Sequence, residues 1–271
     1  MIKKYVRLCL FLLLLLCLSQ VLLAYLRQRS QVSGLTMATN ETEEFRRQQL
    51  SEKLVGQLVE EEIDPGILPS TLTATMIQGD FSPDAIVEDY SLYEKYKPSE
   101  FSTLVDSYSA IWQDVEEFPL LREEISYGNT WLEDRPLGGA RRHEGCDLFI
   151  EGAQPGEYPV YSMTDGTVEQ IGWLPLGGYR IGIRSSHGGY FYYAHLSSYW
   201  KQYEIGEEIL AGEIVGFMGN TGYGAEGTVD KFPVHLHLGI YISTAHSSEQ
   251  SVNPYWILRY VETKKNLGEK T

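Results

Sequence analysis

Cysteine is scarce in this sequence. Only three cysteines occur among its 271 residues, and two of them, Cys9 and Cys17, lie in an apolar N-terminal run. Cys146 is therefore the only cysteine in the remainder of the chain, which excludes an intrachain disulfide framework there. A zinc finger needs several cysteines in one small unit, so that class of protein is excluded as well.

Positive charge is also scarce. The chain has 22 Lys and Arg against 37 Asp and Glu, a net charge of −15. A nucleic-acid partner requires a basic face, so none is expected. Residues 31–125 are the most acidic part, with 20 acidic and 6 basic side chains, compared with 16 and 8 in residues 126–262. All six histidines lie at position 143 or later, so much of the acidity lies upstream of them.

The N-terminus contains one long apolar run. Residues 8–26 form a 19-residue span interrupted by only two polar side chains, long enough to cross a bilayer as a helix. Basic residues before the span favour a cytoplasmic N-terminus: Lys3, Lys4 and Arg7. A cleaved signal peptide is the alternative, but its apolar region is usually shorter and ends at a small-x-small site. We expect residues 1–30 to be a cytoplasmic tip and an uncleaved, single-pass anchor in the cell membrane, with the rest of the chain extracytoplasmic.

Residues 31–125 are predicted to be helical. Residues 40–63 have the pattern of one helix, with Asn40 as the N-cap and Glu43 at the capping-box position. A second helical region runs from about residue 83 to 115, and Pro98 stands near the first turn of its main helix. Neither region contains a catalytic pattern. We predict an acidic helical stalk or regulatory segment, with a protein partner or self-association as the alternative to a simple spacer.

From about residue 126 the sequence changes to short strands and glycine turns. Asp165-Gly166 stands between two strand-like runs as a hairpin signal, and "HGG" (187–189) separates two more. The predicted fold class is mostly β: a compact antiparallel β-domain over residues 126–262, preceded by a transmembrane helix and a helical segment. Residues 263–271 are predicted to be a basic tail.

The stretch "VHLHLGI" (234–240) places two histidines one residue apart. Because side chains alternate across a strand, Val234 and the leucines share an apolar face, while His235 and His237 share the other. Two imidazoles on one face are able to converge on one cleft. The alternative is a half-buried strand with two solvent-exposed polar positions.

His143 and Asp147, in "RRHEGCDLF", are the second element of a metal pattern. Four residues apart on a straight strand they would be about 13 Å apart, so the segment must bend, and Gly145 permits a bend. With one histidine of "HLH" they would make three ligands with an open position, as in catalytic zinc sites. The other histidine of that pair and His195 in "YYAHL" are then left to act as a general base or an oxyanion donor.

These motifs together resemble a known family. "HEGCD", "YAHL" and "HLH", in that order, are similar to the LytM/lysostaphin-type zinc metalloendopeptidases, which cut the peptides of peptidoglycan. The framing segments "YPVYSMTDGTV", "GEEILAGEIVGFMGNTG" and "VNPYWIL" also resemble the family. The similarity covers roughly residues 126–262 and nothing upstream.

The resemblance implies roles for five residues. His143, Asp147 and His237 would bind one Zn²⁺ ion, and His195 and His235 would be the catalytic histidines. The chain departs from the family's pattern around "HLH", where Val234 replaces a common proline and Leu238 a common aromatic residue. These departures concern the substrate groove, which we expect four residues to line: Tyr192, Tyr193, Asn220 and Tyr223.

The predicted function is that of a membrane-anchored zinc metalloendopeptidase that hydrolyses amide bonds in the peptide part of peptidoglycan. A non-enzymatic, LytM-like scaffold that binds cell wall or a partner and activates another hydrolase is the alternative, and a structural zinc protein is a third. His187 and His246 occur in turn-like sequence and are predicted to be surface residues. Cys146 is predicted to be a small buried residue rather than a fourth ligand.

Overall fold

A computed structural model of the protein describes residues 2–121, 125–135 and 139–268. It begins with helix α1 (Ile2–Gln31), whose residues Lys4–Arg27 are long and apolar enough to cross a membrane and are not covered by other parts of the described chain. This finding is compatible with either a membrane anchor or a signal sequence.

The helical segment contains short helices where one long helix was predicted over residues 40–63. A 3₁₀ turn (Thr39–Glu41) is followed by α2 (Glu43–Arg46) and α3 (Glu52–Glu60), so the single helix is wrong. The chain breaks at Gln48, which adopts a left-handed φ of 48°. The side chains of Thr42 and Ser51, and not Asn40, cap the two helices by accepting hydrogen bonds from Phe45 and Leu54.

The second helical region is confirmed in outline. It contains α5 (Ser91–Tyr96), α6 (Pro98–Tyr108) and a π-helical turn (Ser109–Gln113), with Pro98 in the first turn of α6. An unpredicted helix, α4 (Leu68–Gln78), precedes them and is buried along most of its length. Its run of threonines, which have low helix propensity, gave no helical signal.

Between Ile125 and Val252 the described chain is antiparallel β structure, as predicted. The strands are β1 (Ile125–Tyr127), β2 (Asp134–Arg135), β3 (Arg141–Arg142), β4 (Cys146–Ile150), β5 (Pro159–Tyr161), β6 (Gly166–Leu174), β7 (Gly178–Arg184), β8 (Tyr190–Leu196), β9 (Ser198–Tyr199), β10 (Glu208–Ile209), β11 (Ile214–Phe217), β12 (Leu236–Ile242) and β13 (Gln250–Val252). The main sheet has the order β1-β4-β12-β8-β7-β6-β10, with β13 also paired to β12. A smaller sheet has the order β5-β11-β9, and β2 pairs with β3.

The two hairpin predictions have different outcomes. The "HGG" turn joins β7 and β8, which pair antiparallel, so that hairpin is confirmed. The Asp165-Gly166 hairpin is wrong, because β5 pairs with β11 of the small sheet while β6 pairs with β7 and β10. The turn there carries the chain from one sheet to the other.

The helical segment and the β structure share one apolar core. Buried side chains from residues 32–120 and from the sheets form a continuous cluster. Arg46 donates hydrogen bonds to the carbonyl and hydroxyl oxygens of Ser251, and Asn253 N donates to the carbonyl of Arg46. Residues 31–125 are therefore packed onto the β structure along much of their length. The division of the chain near residue 126 stays a prediction.

The chain ends in helix α7 (Tyr255–Gly268), which packs against α3. The predicted basic tail at 263–271 overlaps this helix as far as Gly268, and its last three residues lie outside the described residues. Arg259 in α7 forms an ion pair with Glu52 in α3, a second connection between the end of the chain and the helical segment.

Candidate active site

Strand β12 has the alternation predicted from "VHLHLGI". Leu236, Leu238 and Ile240 are completely buried in the core, and His237 lies on the opposite face. His235 directly precedes the strand, where it forms a single bridge with Gly219. Both imidazoles line the same groove. The alternative, two solvent-exposed polar positions on a half-buried strand, is therefore wrong.

Asp147 stands directly opposite His237 in the register of β4 and β12. His143 lies before β4, after a bend in the chain that brings its imidazole next to Asp147. Gly145, at this bend, is needed for space: a Cβ atom there would lie 2.5 Å from Cε1 of His237 and 2.5 Å from the carbonyl oxygen of Leu238. The glycine thus allows the imidazole of His237 to lie directly over the backbone between His143 and Asp147.

The three residues predicted as ligands converge on one point. Nε2 of His143 is 3.0 Å from Oδ1 of Asp147 and 3.1 Å from Nδ1 of His237, and the last two atoms are 2.9 Å apart. Ligand atoms around a tetrahedral zinc ion with bonds of about 2.0–2.1 Å lie roughly 3.3 Å apart, close to these separations. Two imidazoles and one carboxylate fit a zinc site with an open position, and metal binding by them remains a prediction.

Outer partners orient these side chains. Nδ1 of His143 is 2.7 Å from Nη2 of Arg135, 3.0 Å from the hydroxyl of Thr130 and 3.2 Å from the Thr130 carbonyl oxygen. These contacts occupy the Nδ1 edge of the ring, and Nε2 faces the other ligands. Arg135 donates a 2.7 Å hydrogen bond to Oδ2 of Asp147, which leaves Oδ1 for the cluster. Burial alone would raise the pKa of Asp147, but its hydrogen bonds with His143 and His237 outweigh burial and hold that pKa well below its usual range.

His195 and His235 form the second layer of the site. Nδ1 of His195 is 2.8 Å from the carbonyl oxygen of Thr221, and Nδ1 of His235 is 2.8 Å from that of Pro233. Each imidazole therefore donates from Nδ1 and presents Nε2 on the other side. The centroids of the two imidazole rings are 4.8 Å apart, and Nε2 of His235 is 3.7 Å from Oδ1 of Asp147.

The environment keeps both imidazoles neutral. Burial lowers the pKa of His195, with His235 adding to the effect, and burial also lowers the pKa of His235 despite the nearby Asp147. Aromatic rings cover them, since Phe232 lies 4.5 Å from His195 and Phe149 stacks 4.9 Å from His235. His195 also has a left-handed backbone with a φ of 62°, a strained conformation that is concentrated at functional sites.

The five groups open into a groove of about 870 Å³. Tyr192 and Tyr223 line it as predicted, but Tyr193 and Asn220 do not. Tyr193 is on the core face of β8, where its hydroxyl accepts a hydrogen bond from Met163 N, because alternation along the strand turns it away from Tyr192. Asn220 is buried and donates to Asp230.

The structure confirms that His187 and His246 are exposed and that Cys146 is buried. His187 and His246 lie away from the groove and pair with Asp114 and Glu41 of the helical segment. Cys146 is buried and its thiol donates to the carbonyl of Gly128, while burial raises its pKa far above the ordinary value. That Cys146 is not a metal ligand stays a prediction.

Sequence reasoning missed the arginines of the groove. Four of the eight Lys and Arg in residues 126–262 line it: Arg135, Arg141, Arg142 and Arg180. Only Arg180 had a recognisable signal, because "YRIGIR" alternates and places it opposite the buried Ile181 and Ile183. Arg135 comes from a short loop strand whose position no local pattern indicates.

The comparisons with known proteins agree with this site. The model of peptidase family M23 matches residues 141–254. An L-Ala–D-Glu endopeptidase of Bacillus subtilis (strain 168) is 43% identical over 162 residues, 59% of this chain and 48% of that protein. Lysostaphin of Staphylococcus simulans is 30% identical over 124 residues, 44% of this chain and 22% of that protein. The chain thus spans about half the length, or less, of these two relatives.

A solved structure extends the similarity beyond the β-domain. The crystal structure of a candidate glycyl-glycine endopeptidase, LytM, from Ruminococcus gnavus ATCC 29149 is 40% identical, with a TM-score of 0.74, and the match covers 86% of this chain and 96% of that one. The shared fold therefore includes most of the helical segment, on which the earlier resemblance was silent. With this coverage and the family match over the groove residues, the chain belongs to peptidase family M23, the LytM/lysostaphin type.

Proposed function

We propose that this protein is a zinc-dependent endopeptidase that hydrolyses amide bonds in the peptide part of peptidoglycan. The observation that carries the proposal is the arrangement of five groups around one point, with three convergent ligand atoms and two further imidazoles that present Nε2 beside them. A closed structural site would need four ligands and no spare imidazoles. Family membership supports the same reaction.

In this mechanism His143, Asp147 and His237 would hold the metal. A zinc ion at this point would supply the positive charge that acidifies the attacking water and polarises the scissile carbonyl. Burial favours the neutral form of His195 and His235, so the Nε2 atom of each is positioned to accept a proton from the attacking water. An imidazole that has taken up this proton is able to donate a hydrogen bond from Nε2 to the oxyanion that develops on the peptide carbonyl. Phe232 and Phe149 exclude water around them, which strengthens these interactions.

Metal removal tests the enzyme proposal. Treatment of the purified protein with a chelator should abolish release of peptide fragments from peptidoglycan, and stoichiometric Zn²⁺ should restore it, because the proposed reaction needs a metal ion to polarise the scissile carbonyl. Mass analysis of the fragments gives the bond that is cut. Hydrolysis that is unchanged by chelation would contradict zinc dependence, and a zinc-loaded protein with no hydrolysis of any peptidoglycan would favour the scaffold alternative.

We also propose that α1 anchors the protein in the cell membrane with the groove outside. Its length and its largely apolar sequence support this topology, as do the basic residues before the apolar span. Protease added to intact protoplasts should therefore remove the groove-bearing part of the chain. A mature protein that begins after residue 26, or a C-terminal part protected from the protease, would contradict the anchor.

Two classes of peptide bond are candidates for hydrolysis. One relative is named for the L-Ala–D-Glu bond and another for glycyl-glycine. Both are amide bonds that a zinc endopeptidase cleaves by the same chemistry, so the choice between them depends on the groove and not on the metal ligands.

A further inference from the structure

Arg180 is a buried cation without adequate partners. Only 8% of the residue is exposed, yet its Nε and Nη1 atoms have no acceptor among the residues that the structure describes. Its only partner there is Oε1 of Gln170, 3.3 Å from Nη2. Buried charged groups are normally paired and fully hydrogen-bonded, so the unused donors of this guanidinium require an explanation.

Arg184 provides the contrast within the same strand. It lies four residues further along β7, and its guanidinium makes hydrogen bonds of 2.5 and 2.6 Å with Glu169 and a third with the carbonyl of Gly188. The strand is therefore able to hold a fully paired arginine on this face. The unpaired state of Arg180 is specific to its position.

That position is in the groove beside the metal cluster. Arg180 lines the groove together with Gln170 and Tyr192, and the ring of Tyr192 lies 6.1 Å from that of His237. β7 is separated from β12 by one strand, β8, so the backbone of Arg180 is about 10 Å from that of His237. This distance is the length of about three extended peptide residues, so a peptide bound at the metal cluster is long enough to reach Arg180.

The other arginines of the groove are engaged or exposed. Arg135 is paired with Asp147, and Arg141 donates to the hydroxyl of Tyr223 and lies over its ring, although its Nε lacks an acceptor. The side chain of Arg142 is 60% exposed and faces Glu43. Arg180 is thus the one of these four arginines that is buried as a whole residue, and its Nε and Nη1 groups are each able to donate a hydrogen bond to an anion such as a carboxylate.

We propose that Arg180 binds the free carboxylate of a glutamyl residue next to the scissile bond, and so selects glutamyl peptides over glycyl-glycine peptides. The inference rests on the proposed endopeptidase function and specifies its substrate. A glutamyl residue has two carboxyl groups, of which only one continues the peptide chain, so the other remains as an anion. A glycyl-glycine peptide has no such group, so its binding would leave the buried guanidinium unpaired. A site discriminates strongly against a substrate that leaves one of its buried polar groups without a partner.

A double-mutant cycle between enzyme and substrate tests the pairing. The full chain in detergent and its Arg180→Gln variant are compared on two peptides, one with an L-Ala–D-Glu bond and a free glutamyl carboxylate and one with that carboxylate converted to a carboxamide. The unmodified protein should prefer the carboxylate peptide by roughly 10²-fold or more in kcat/KM, the range expected for a buried, hydrogen-bonded charge pair. Arg180→Gln should treat the two peptides alike within a few-fold.

Arg184→Gln is the matched control. It removes the same charge from the same strand face, outside the groove lining, and should keep the preference for the carboxylate. Equal losses on both peptides in Arg180→Gln would make Arg180 a structural residue and overturn the proposal. A preference of the unmodified protein for the carboxamide or for a glycyl-glycine peptide would overturn it as well.

Equilibrium binding separates this proposal from the proposed function. The two peptides, labelled with a fluorophore, are titrated with the zinc-free protein and followed by anisotropy. Tighter binding of the carboxylate peptide that disappears in Arg180→Gln supports the pairing even where no peptide is hydrolysed, in which case only the endopeptidase proposal fails. If the protein hydrolyses both peptides and shows no preference for the carboxylate in rate or binding, the endopeptidase proposal stands and the role of Arg180 is overturned.

Discussion

Replacing His237 with alanine should strip the protein of zinc, whereas replacing His235, two residues away, should not. Nδ1 of His237 is 2.9 Å from Oδ1 of Asp147 and belongs to the three-atom cluster, so its loss removes one of only three protein ligands. We expect zinc affinity to fall by more than the roughly 10–100-fold that loss of an outer partner costs. His143→Ala and Asp147→Ala should behave in the same way.

His235→Ala and His195→Ala should fail differently. Both leave the ligand set complete, so near-stoichiometric zinc should remain while hydrolysis falls by about 10²–10⁴, the contribution of a positioned acid–base group. Atomic absorption gives the zinc content and peptide hydrolysis the rate for each purified variant. His187→Ala, which alters a histidine outside the groove, is the control and should change neither quantity.

Two outcomes of these zinc measurements would contradict the roles assigned to His235 and His237. If His235→Ala loses the metal while His237→Ala keeps it, the two assignments are reversed. Equal loss of zinc in both variants would show that both histidines are ligands. The ring of His235, whose Nε2 is 3.7 Å from Oδ1 of Asp147, would then have to shift to reach the metal.

Trp112→Ala should destabilise the whole protein in a single transition. Trp112 is buried in the core shared by the helical segment and the sheets, its Nε1 donates a 2.7 Å hydrogen bond to Gln48, and its ring lies edge-on to that of Tyr260 in α7. Truncation of a buried tryptophan costs about 3–5 kcal/mol of unfolding free energy, which corresponds to a decrease in Tm of roughly 10 °C in a protein of this size. Loss of the partner of the buried Gln48 adds to the cost.

Thermal unfolding followed by circular dichroism measures this effect, and Trp200→Ala is the control. Trp200 is 56% exposed, so its removal should change stability by no more than about 0.5 kcal/mol. Two separate transitions, of which only the lower moves in Trp112→Ala, would show that the β structure unfolds independently. A fragment of residues 126–262 that melts at the temperature of the full chain would support the predicted boundary near 126.

Strand faces were predictable from the sequence, and strand partners were less so. The alternation of β12 follows from the period of two along any strand, so Leu236, Leu238 and His237 could be assigned to faces without knowing their neighbours. The pairing of β5 with β11 joins segments about 50 residues apart, and the local turn signal at Asp165-Gly166 carries no information about it. Helix ends were missed for a related reason, since Ser51 is as good an N-cap as Asn40 and tertiary contacts of Gln48 decided between them.

The candidate site was predictable as far as its motifs extend. Histidines and an aspartate at motif positions could be identified because their chemistry is specific, and the structure brings all five of these residues together. The outer partners could not be identified, because Arg135 and Thr130 reach the site through a loop that no periodic pattern describes. Arg180 could be placed on a face, but that its donors lack acceptors depends on side chains from neighbouring strands.

The connection between α1 and the folded body determines how far this protein could act from a bilayer. Helix α1 ends at Gln31, and Val32 is already 1% exposed within the core. No extended linker separates helix α1 from the folded body, so the body cannot move away from the helix on a flexible segment. If α1 anchors the protein, the size of the folded body alone sets the distance between the groove and the membrane. The groove would then reach only substrates within about one protein diameter of the membrane surface.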